Sequence, residues 1–212
     1  MKTNDLVRRC SVYSFGMGIL AFGLTLTAKT GLGASSLTAV PYVLSIYMDQ
    51  SFADVTLAMY FVYIFVQLFL DHEKKAVILT MLQLPVSVAF TRVMHLSGTY
   101  IRIEQAPLLV RILFLLFAVV LTGIGVAMAL QADLVPTPAE GMVHTIAEKT
   151  KKPLGMVKNA VDIGHVCMAV LLSLLFLHKL AGVGIGSLIS MVGVGRVVAC
   201  YDRMIGGKKK DV

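Results

Sequence analysis

Tryptophan is absent from this chain, and both cysteine and charge are scarce. Its 212 residues include 0 Trp, 3 Cys and 6 Pro, and only 15% are charged. A soluble domain of this length carries roughly a quarter charged residues, so the shortage argues against an ordinary water-soluble fold. Cys10, Cys167 and Cys200 are odd in number and have no CxxC spacing. That argues against a disulfide framework or a zinc site and leaves them as small packing residues in apolar segments. No HExxH, GxSxG or Walker sequence occurs, so neither an enzyme nor a bound cofactor or metal is expected. Without tryptophan, any interfacial aromatic belt must rest on Tyr and Phe.

What the chain has is apolar length. Hydrophobic residues make up 57% of it, and several runs reach the ~20 residues that cross about 30 Å of hydrocarbon. Six spans are predicted, at 10–30, 55–72, 76–97, 109–131, 157–178 and 183–202, within a single membrane domain covering 1–212. The first run lacks a small-residue cleavage site and reads as a retained helix rather than a signal peptide. The net charge of +7 lies in short clusters between spans, the distribution of membrane topology rather than of nucleic-acid binding. With a cytoplasmic N-terminus, the inside carries Lys2, Arg8, Arg9, Lys74, Lys75, Lys149, Lys151, Lys152, Lys158, Arg203, Lys208, Lys209 and Lys210. The outside carries Lys29, Arg102, Arg111 and Lys179. This 13-to-4 bias places both termini in the cytoplasm. Glycine-rich runs such as "GVGIGSLISMVGVGR" have apolar flanks and no preceding strand, so they read as close helix packing, not a phosphate loop.

Between the first two spans lies "GLGASSLTAVPYVL", too short and polar to span, too apolar for an ordinary loop. The second half holds a counterpart. At an offset of 102, Gly23 falls on Gly125, Ser35 on Thr137, Ser36 on Pro138 and Thr38 on Glu140. Farther on, "VAFTRVM" and "VGVGRVV" align at an offset of 104, Arg92 on Arg196. Each half has three spans, so the second enters the membrane from the opposite face. The expected fold is therefore all-α: two inverted three-helix repeats, about 10–97 and 109–202, each with a short re-entrant half-helix. Ser35 and Ser36 are good N-cap residues, and Thr137-Pro138-Ala139-Glu140 reads as a capping box with Pro in the first turn. Non-helical backbone at membrane depth needs protein or a watery cavity around it. Two half-helix N-termini would then converge, offering N–H groups and positive dipole ends. The other arrangement that fits is two amphipathic helices on opposite surfaces.

Polar residues inside the spans complete the candidate site. Arg92 and Arg196 either face the bundle or snorkel to the nearer surface. Asp162 and His165, three residues apart, share a helix face and either pair structurally or handle a proton. Glu140 either closes its capping box or faces the cavity. Gln67 and Gln83 read as interhelical hydrogen-bond partners, and Pro41 and Pro85 as sites of kinking. The candidate substrate-binding set is Ser35, Ser36, Thr38, Arg92, Thr137, Glu140, Asp162, His165 and Arg196.

The segments "GLGASSLTAVPYVLS" and "LVPTPAEGMVHTIAEKTKKPLGMVKNAVDI" resemble the YczE/YyaS/YitT family of small bacterial integral membrane proteins. Gly33, Ala34, Ser35, Pro41, Tyr42, Glu140, Gly141 and Asp162 carry the likeness. The resemblance implies a bacterial inner-membrane protein of transporter type and names no substrate. The expected function is a secondary transporter or permease for a small anionic or zwitterionic solute, bound near the bilayer midplane. A non-transporting accessory or scaffold protein for a membrane-associated enzyme or assembly is the alternative. The partners are then the bilayer and the solute, with a homodimer or membrane partner left open.

Overall fold

The structure, a computed structural model, describes residues 3–205, with side chains from 5 to 204. Lys2, Lys208, Lys209 and Lys210, counted above for orientation, lie outside the described residues. The described chain is all-helical. In chain order it forms α1 (Thr3–Lys29), α2 (Ser36–Met48), α3 (Phe52–Leu70), α4 (Lys74–Tyr100), α5 (Leu108–Ala132), α6 (Pro138–Thr150), α7 (Leu154–Leu172, prolonged by a π-helical turn, Ser173–Leu177) and α8 (Ile185–Ile205). Six of these are long and apolar enough to cross a membrane: Asp5–Lys29, Phe52–Leu70, Lys74–Tyr100, Leu108–Ala132, Leu154–Leu177 and Ile185–Met204. This is a multi-pass membrane protein, and the six expected spans match the helices to within a few residues.

The central pair is α1 with α5, packed antiparallel. A Cβ on Gly16 would lie 2.7 Å from Met128 Cβ, one on Gly23 2.5 Å from Thr122 Oγ1, and one on Gly125 2.6 Å from Leu20 N. The two backbones touch, so these positions admit only glycine. Lipid tails are as apolar as Leu and give helices no hydrophobic drive to associate, so such close contact supplies the attraction. α8 packs on the other flank of α5, where a Cβ on Gly123 would meet Val197 Cβ at 2.5 Å. α4 packs on the other flank of α1, and α3 on α4.

The short helices pack against the long ones. On α2, Thr38, Ala39, Val40, Pro41, Val43 and Ser45 are buried, and on α6, Pro138, Ala139, Gly141, Met142, Val143 and Ala147. Each is 13 residues long, and their bounds coincide at the offset of 102. Their C-caps coincide as well: Asp49 and Lys151 are both left-handed, at φ 50° and 54°. α2 lies mainly against α7 and α6 mainly against α3.

Several expectations are corrected. Ser35 occupies the N-cap position, but its hydroxyl makes no capping hydrogen bond; the turn closes through its carbonyl, which accepts from Thr38 N at 2.9 Å. The three cysteines are exposed on the outer faces of their helices rather than packed inside. The alignment of Arg92 with Arg196 also fails in register. The buried face of α4 holds Ser87, Phe90, Thr91 and Met94. The face of α8 that meets α5 holds Ser190, Gly193, Val194 and Val197. These faces coincide at an offset of 103 (87 with 190, 90 with 193, 91 with 194, 94 with 197), which puts Arg92 on Gly195. A shift of one residue turns a helix by ~100°, enough to separate the two arginines.

Candidate functional site

One cluster in the middle of the bundle draws on both halves. Met17 from α1, Tyr60 and Tyr63 from α3, Phe90 and Met94 from α4, and Ala139 and Met142 from α6 are buried together, with Leu37 of α2 and Val161 of α7 packed against them. The first turns of α2 and α6 therefore reach the same cluster.

α6 is anchored there by an amide pair. Gln67 Nε2 donates to Gln83 Oε1 and Gln83 Nε2 to Gln67 Oε1, both at 3.0 Å, and Gln67 Nε2 also lies 3.1 Å from Pro138 O. A Cβ on Gly141 would lie 2.5 Å from both Gln67 Oε1 and Gln83 Nε2, so the pair needs glycine beside it. The interhelical role expected for the two glutamines is the one observed. At the other end of α6, Lys149 Nζ donates to Asp71 Oδ1 at 3.0 Å. Asp71 also accepts from Glu73 N at 3.1 Å. The Lys149 hydrogen bond, followed by that from Glu73, holds the Asp71 carboxyl below its ordinary value, and the same bond holds Lys149 above its own. α6 thus runs beside α3 in the same direction, with its N-terminal end toward the middle of the bundle.

Thr137 is buried, and its hydroxyl accepts from Glu140 N at 3.4 Å, which is half of the expected capping box. Glu140, half-buried, lies close enough to Tyr13 of α1 and Tyr60 of α3 to act on both electrostatically. Tyr13 Oη donates to Val135 O at 2.7 Å, tying α1 to the chain entering α6. Thr38 is buried with its hydroxyl donating to Ser35 O at 3.1 Å, and Ser35 and Ser36 are half-buried.

On α7, His165 Nδ1 lies 2.9 Å from Val161 O and Nε2 lies 2.7 Å from Tyr63 Oη. A carbonyl only accepts, so Nδ1 carries a proton. In the neutral ring Nε2 accepts from the Tyr63 hydroxyl. One turn away, Asp162 Oδ2 is 3.5 Å from Lys158 Nζ, while Oδ1 is buried and accepts no hydrogen bond from a described residue. A buried carboxylate oxygen without a donor is costly and marks a place where a proton, cation or ligand N–H would be favoured.

Arg92 and Arg196 stand apart. Both are exposed, and neither makes a hydrogen bond or ion pair with a described residue. Arg92 points away from the buried face of α4, and Arg196 flanks the face of α8 that meets α5. The structure thus gathers Leu37, Thr137, Glu140 and His165 around one cluster, sets Asp162 one turn from His165 on α7 and paired with Lys158, and leaves both arginines out. The tyrosines were missed from the sequence. Tyr60, Tyr63 and Gln67 at helical spacing on one face of α3 were the signal available.

Among the described residues no group of three or more metal-ligating side chains is present. No curated protein matches the chain, and no solved structure does. The profile of DUF6198, a family of unknown function, matches residues 7–203, and the chain belongs to that family.

Proposed function

We propose that the protein is a secondary transporter or permease for a small anionic or zwitterionic solute, built as two inverted repeats. The observation that carries this is the matching pair of 13-residue helices, equal in register at 102, whose first turns meet one buried cluster of aromatic and methionine side chains. In the bilayer both would be re-entrant half-helices, with the positive ends of their dipoles toward the midplane. Antiparallel packing of α1 on α5, the equivalent helices of the two halves, is what inversion requires. The halves also differ in a way alternating access would produce: α3 and α4 pack together, whereas α7 and α8 do not.

The charges around the cluster favour a zwitterion within that class. A carboxylate would take the half-helix N-termini. An ammonium would take Glu140 and the unpartnered oxygen of Asp162. Arg92 and Arg196, exposed and outside the cluster, supply no counter-charge in this arrangement. The basic clusters and the likeness to the YczE/YyaS/YitT proteins make a bacterial inner membrane, with both termini cytoplasmic, part of the proposal.

The accessory reading has one observation in its favour. The middle of the bundle is filled by Tyr60, Tyr63, Phe90, Met94 and Met142, so a solute enters only if helices move. The test is uptake of a panel of radiolabelled amino acids and small carboxylates into liposomes holding the purified chain. Accumulation of at least one solute, lost in Glu140→Gln, is expected. A chain that accumulates none of them across proton, sodium and potassium gradients is not a transporter of this class.

A further inference from the structure

A second polar site lies at the end of the bundle where α1 and α4 finish. There a cavity of about 520 Å³ is lined by Lys29, Gly98, Thr99, Arg102, Glu104 and Gln105. Basic residues are few at this end: Lys29, Arg102, Arg111 and Lys179 are the four cations assigned to it by the sequence. Two of the four face this one cavity, and Arg111 stands beside it.

The cations have different duties. Arg111 Nε donates to Thr30 O at 2.6 Å and so satisfies a carbonyl at the end of α1, where positive charge suits the helix dipole. Lys29 Nζ is 2.7 Å from Glu104 Oε1. Arg102 has no such employment. It is exposed and makes no hydrogen bond or ion pair with a described residue. Burial alone would raise the Glu104 carboxyl; hydrogen bonds from Lys29 and from Glu104's own backbone outweigh it and, with the Arg102 charge, hold it below its ordinary value. Glu104 is thus ionised at neutral pH. Lys29 and Arg102 against Glu104 leave the cavity with one surplus positive charge.

We propose that this cavity binds a small solute through a single carboxylate, with Arg102 as the principal contact. A guanidinium presents two parallel N–H donors that match a carboxylate, and it stays charged at any physiological pH. Lys29 is the second contact, shared with Glu104. Glu104 competes with the ligand for Lys29, which sets the preference: one carboxylate balances the surplus, and a second would meet Glu104 without a partner. An amino acid fits, with its ammonium turned to Glu104. The volume lies within the range of small-molecule pockets. This binding does not depend on the transport reading, since it requires no movement of solute through the bundle.

The test uses the full chain with Cys10, Cys167 and Cys200 replaced by alanine and Thr99→Cys introduced as a reporter on the cavity wall. The rate of modification by N-ethylmaleimide, an uncharged reagent, is measured with sodium acetate, glycine, sodium phosphate or methylamine hydrochloride, against sodium chloride at equal ionic strength. Acetate and glycine should slow the reaction by at least about threefold, as a ligand occupying its site should. Arg102→Gln should abolish the protection and Arg102→Lys restore part of it, since lysine keeps the charge and loses the fork. Glu104→Gln should strengthen protection by acetate, because it frees Lys29, and weaken protection by glycine, because it removes the partner of the ammonium. Protection by phosphate alone overturns the carboxylate class. Protection by acetate no greater than by chloride, or protection that survives Arg102→Gln, overturns the site. Liposomes that accumulate no solute while Arg102-dependent protection persists would end the transport proposal and leave this one standing.

Discussion

α2 and α6 have the same length, the same register and the same left-handed residue at the C-cap, yet different chemistry holds them. α2 is seated on apolar side chains: Ala39, Val40 and Val43 pack with Ala169 of α7, and Leu172, Leu177 and Val183 close around them. α6 also packs apolar residues, Val143 and Ala147 against Val157 of α7, but it adds polar ties that α2 lacks: its N-terminal turn rests on the Gln67–Gln83 amide pair and its C-terminal turn on Asp71. The matched positions Ala39 and Gly141 show the difference in one residue. Ala39 packs its methyl group in a fully buried site, whereas Gly141 has no room for one. Apolar contact is forgiving and reversible. A pair of buried amides is satisfied in one geometry and costly in any other. The same contrast separates the hairpins, because α3 and α4 share the amide pair and pack together, whereas α7 and α8 share no such bond and stand apart. On the proposed mechanism the α6 side is the fixed wall and the α2–α7–α8 side is the part that moves.

The comparison is broken outright if the halves are not inverted. Asp49 and Lys151 are matched and exposed, so a cysteine at 49 should react with an impermeant reagent from outside in intact cells and one at 151 should not. A cysteine at 74 should behave like 151, and one at 102 like 49. Reaction of 49 and 151 from the same face would end the inverted-repeat reading.

Next in size is the glycine. Gly141→Ala should cost about 3 kcal/mol or more, because the added methyl overpacks the site and separates two buried amides. The matched change Ala39→Gly should cost only about 1 kcal/mol, mostly helix propensity. Thermal unfolding in detergent measures both, and equal losses would mean that the amide pair does not fix α6.

The caps come third. Thr137→Ala removes a side-chain cap and should cost about 1 kcal/mol, while Ser35→Ala removes none and should stay within about 0.5 kcal/mol. A Ser35 variant as destabilised as the Thr137 variant would show that the two caps are equivalent after all.

The smallest effect is that of pH on the Asp71–Lys149 tie, which has no counterpart in α2. The folded-state value of Asp71 is depressed, so its contribution is complete above the ordinary carboxylate value near 3.9 and fades as pH falls through the folded value. That of Lys149 is raised, so its contribution is complete below the ordinary lysine value near 10.4 and fades as pH rises through the folded value. Asp71→Asn should therefore lower the unfolding temperature slightly at pH 7, with the difference from the unmodified chain closing in acid. A difference that persists unchanged at pH 3 would mean the tie is not ionic.

The spans, the two short helices and their common register were legible in the sequence because hydropathy, Thr, Pro and Gly act locally. Apolar length sets where a chain can cross lipid, and a cap or a helix-starting proline acts within one turn. Gln67 and Gln83 were recognisable as partners because a mid-span amide must bond to something. What could not be read was which way a side chain points once six helices share neighbours. Arg92 and Arg196 aligned as letters and parted as structure, because the faces of α4 and α8 match one residue away from the alignment. Ser35 looked like the cap that Thr137 is, but an N-cap hydroxyl has alternatives that neighbouring packing decides. The meeting of Tyr63 with His165, of Glu140 with Tyr13 and Tyr60, and of Lys29 with Glu104 joins residues from 75 to 127 positions apart. Only the packing of whole helices brings such residues near one another, and no local preference encodes it.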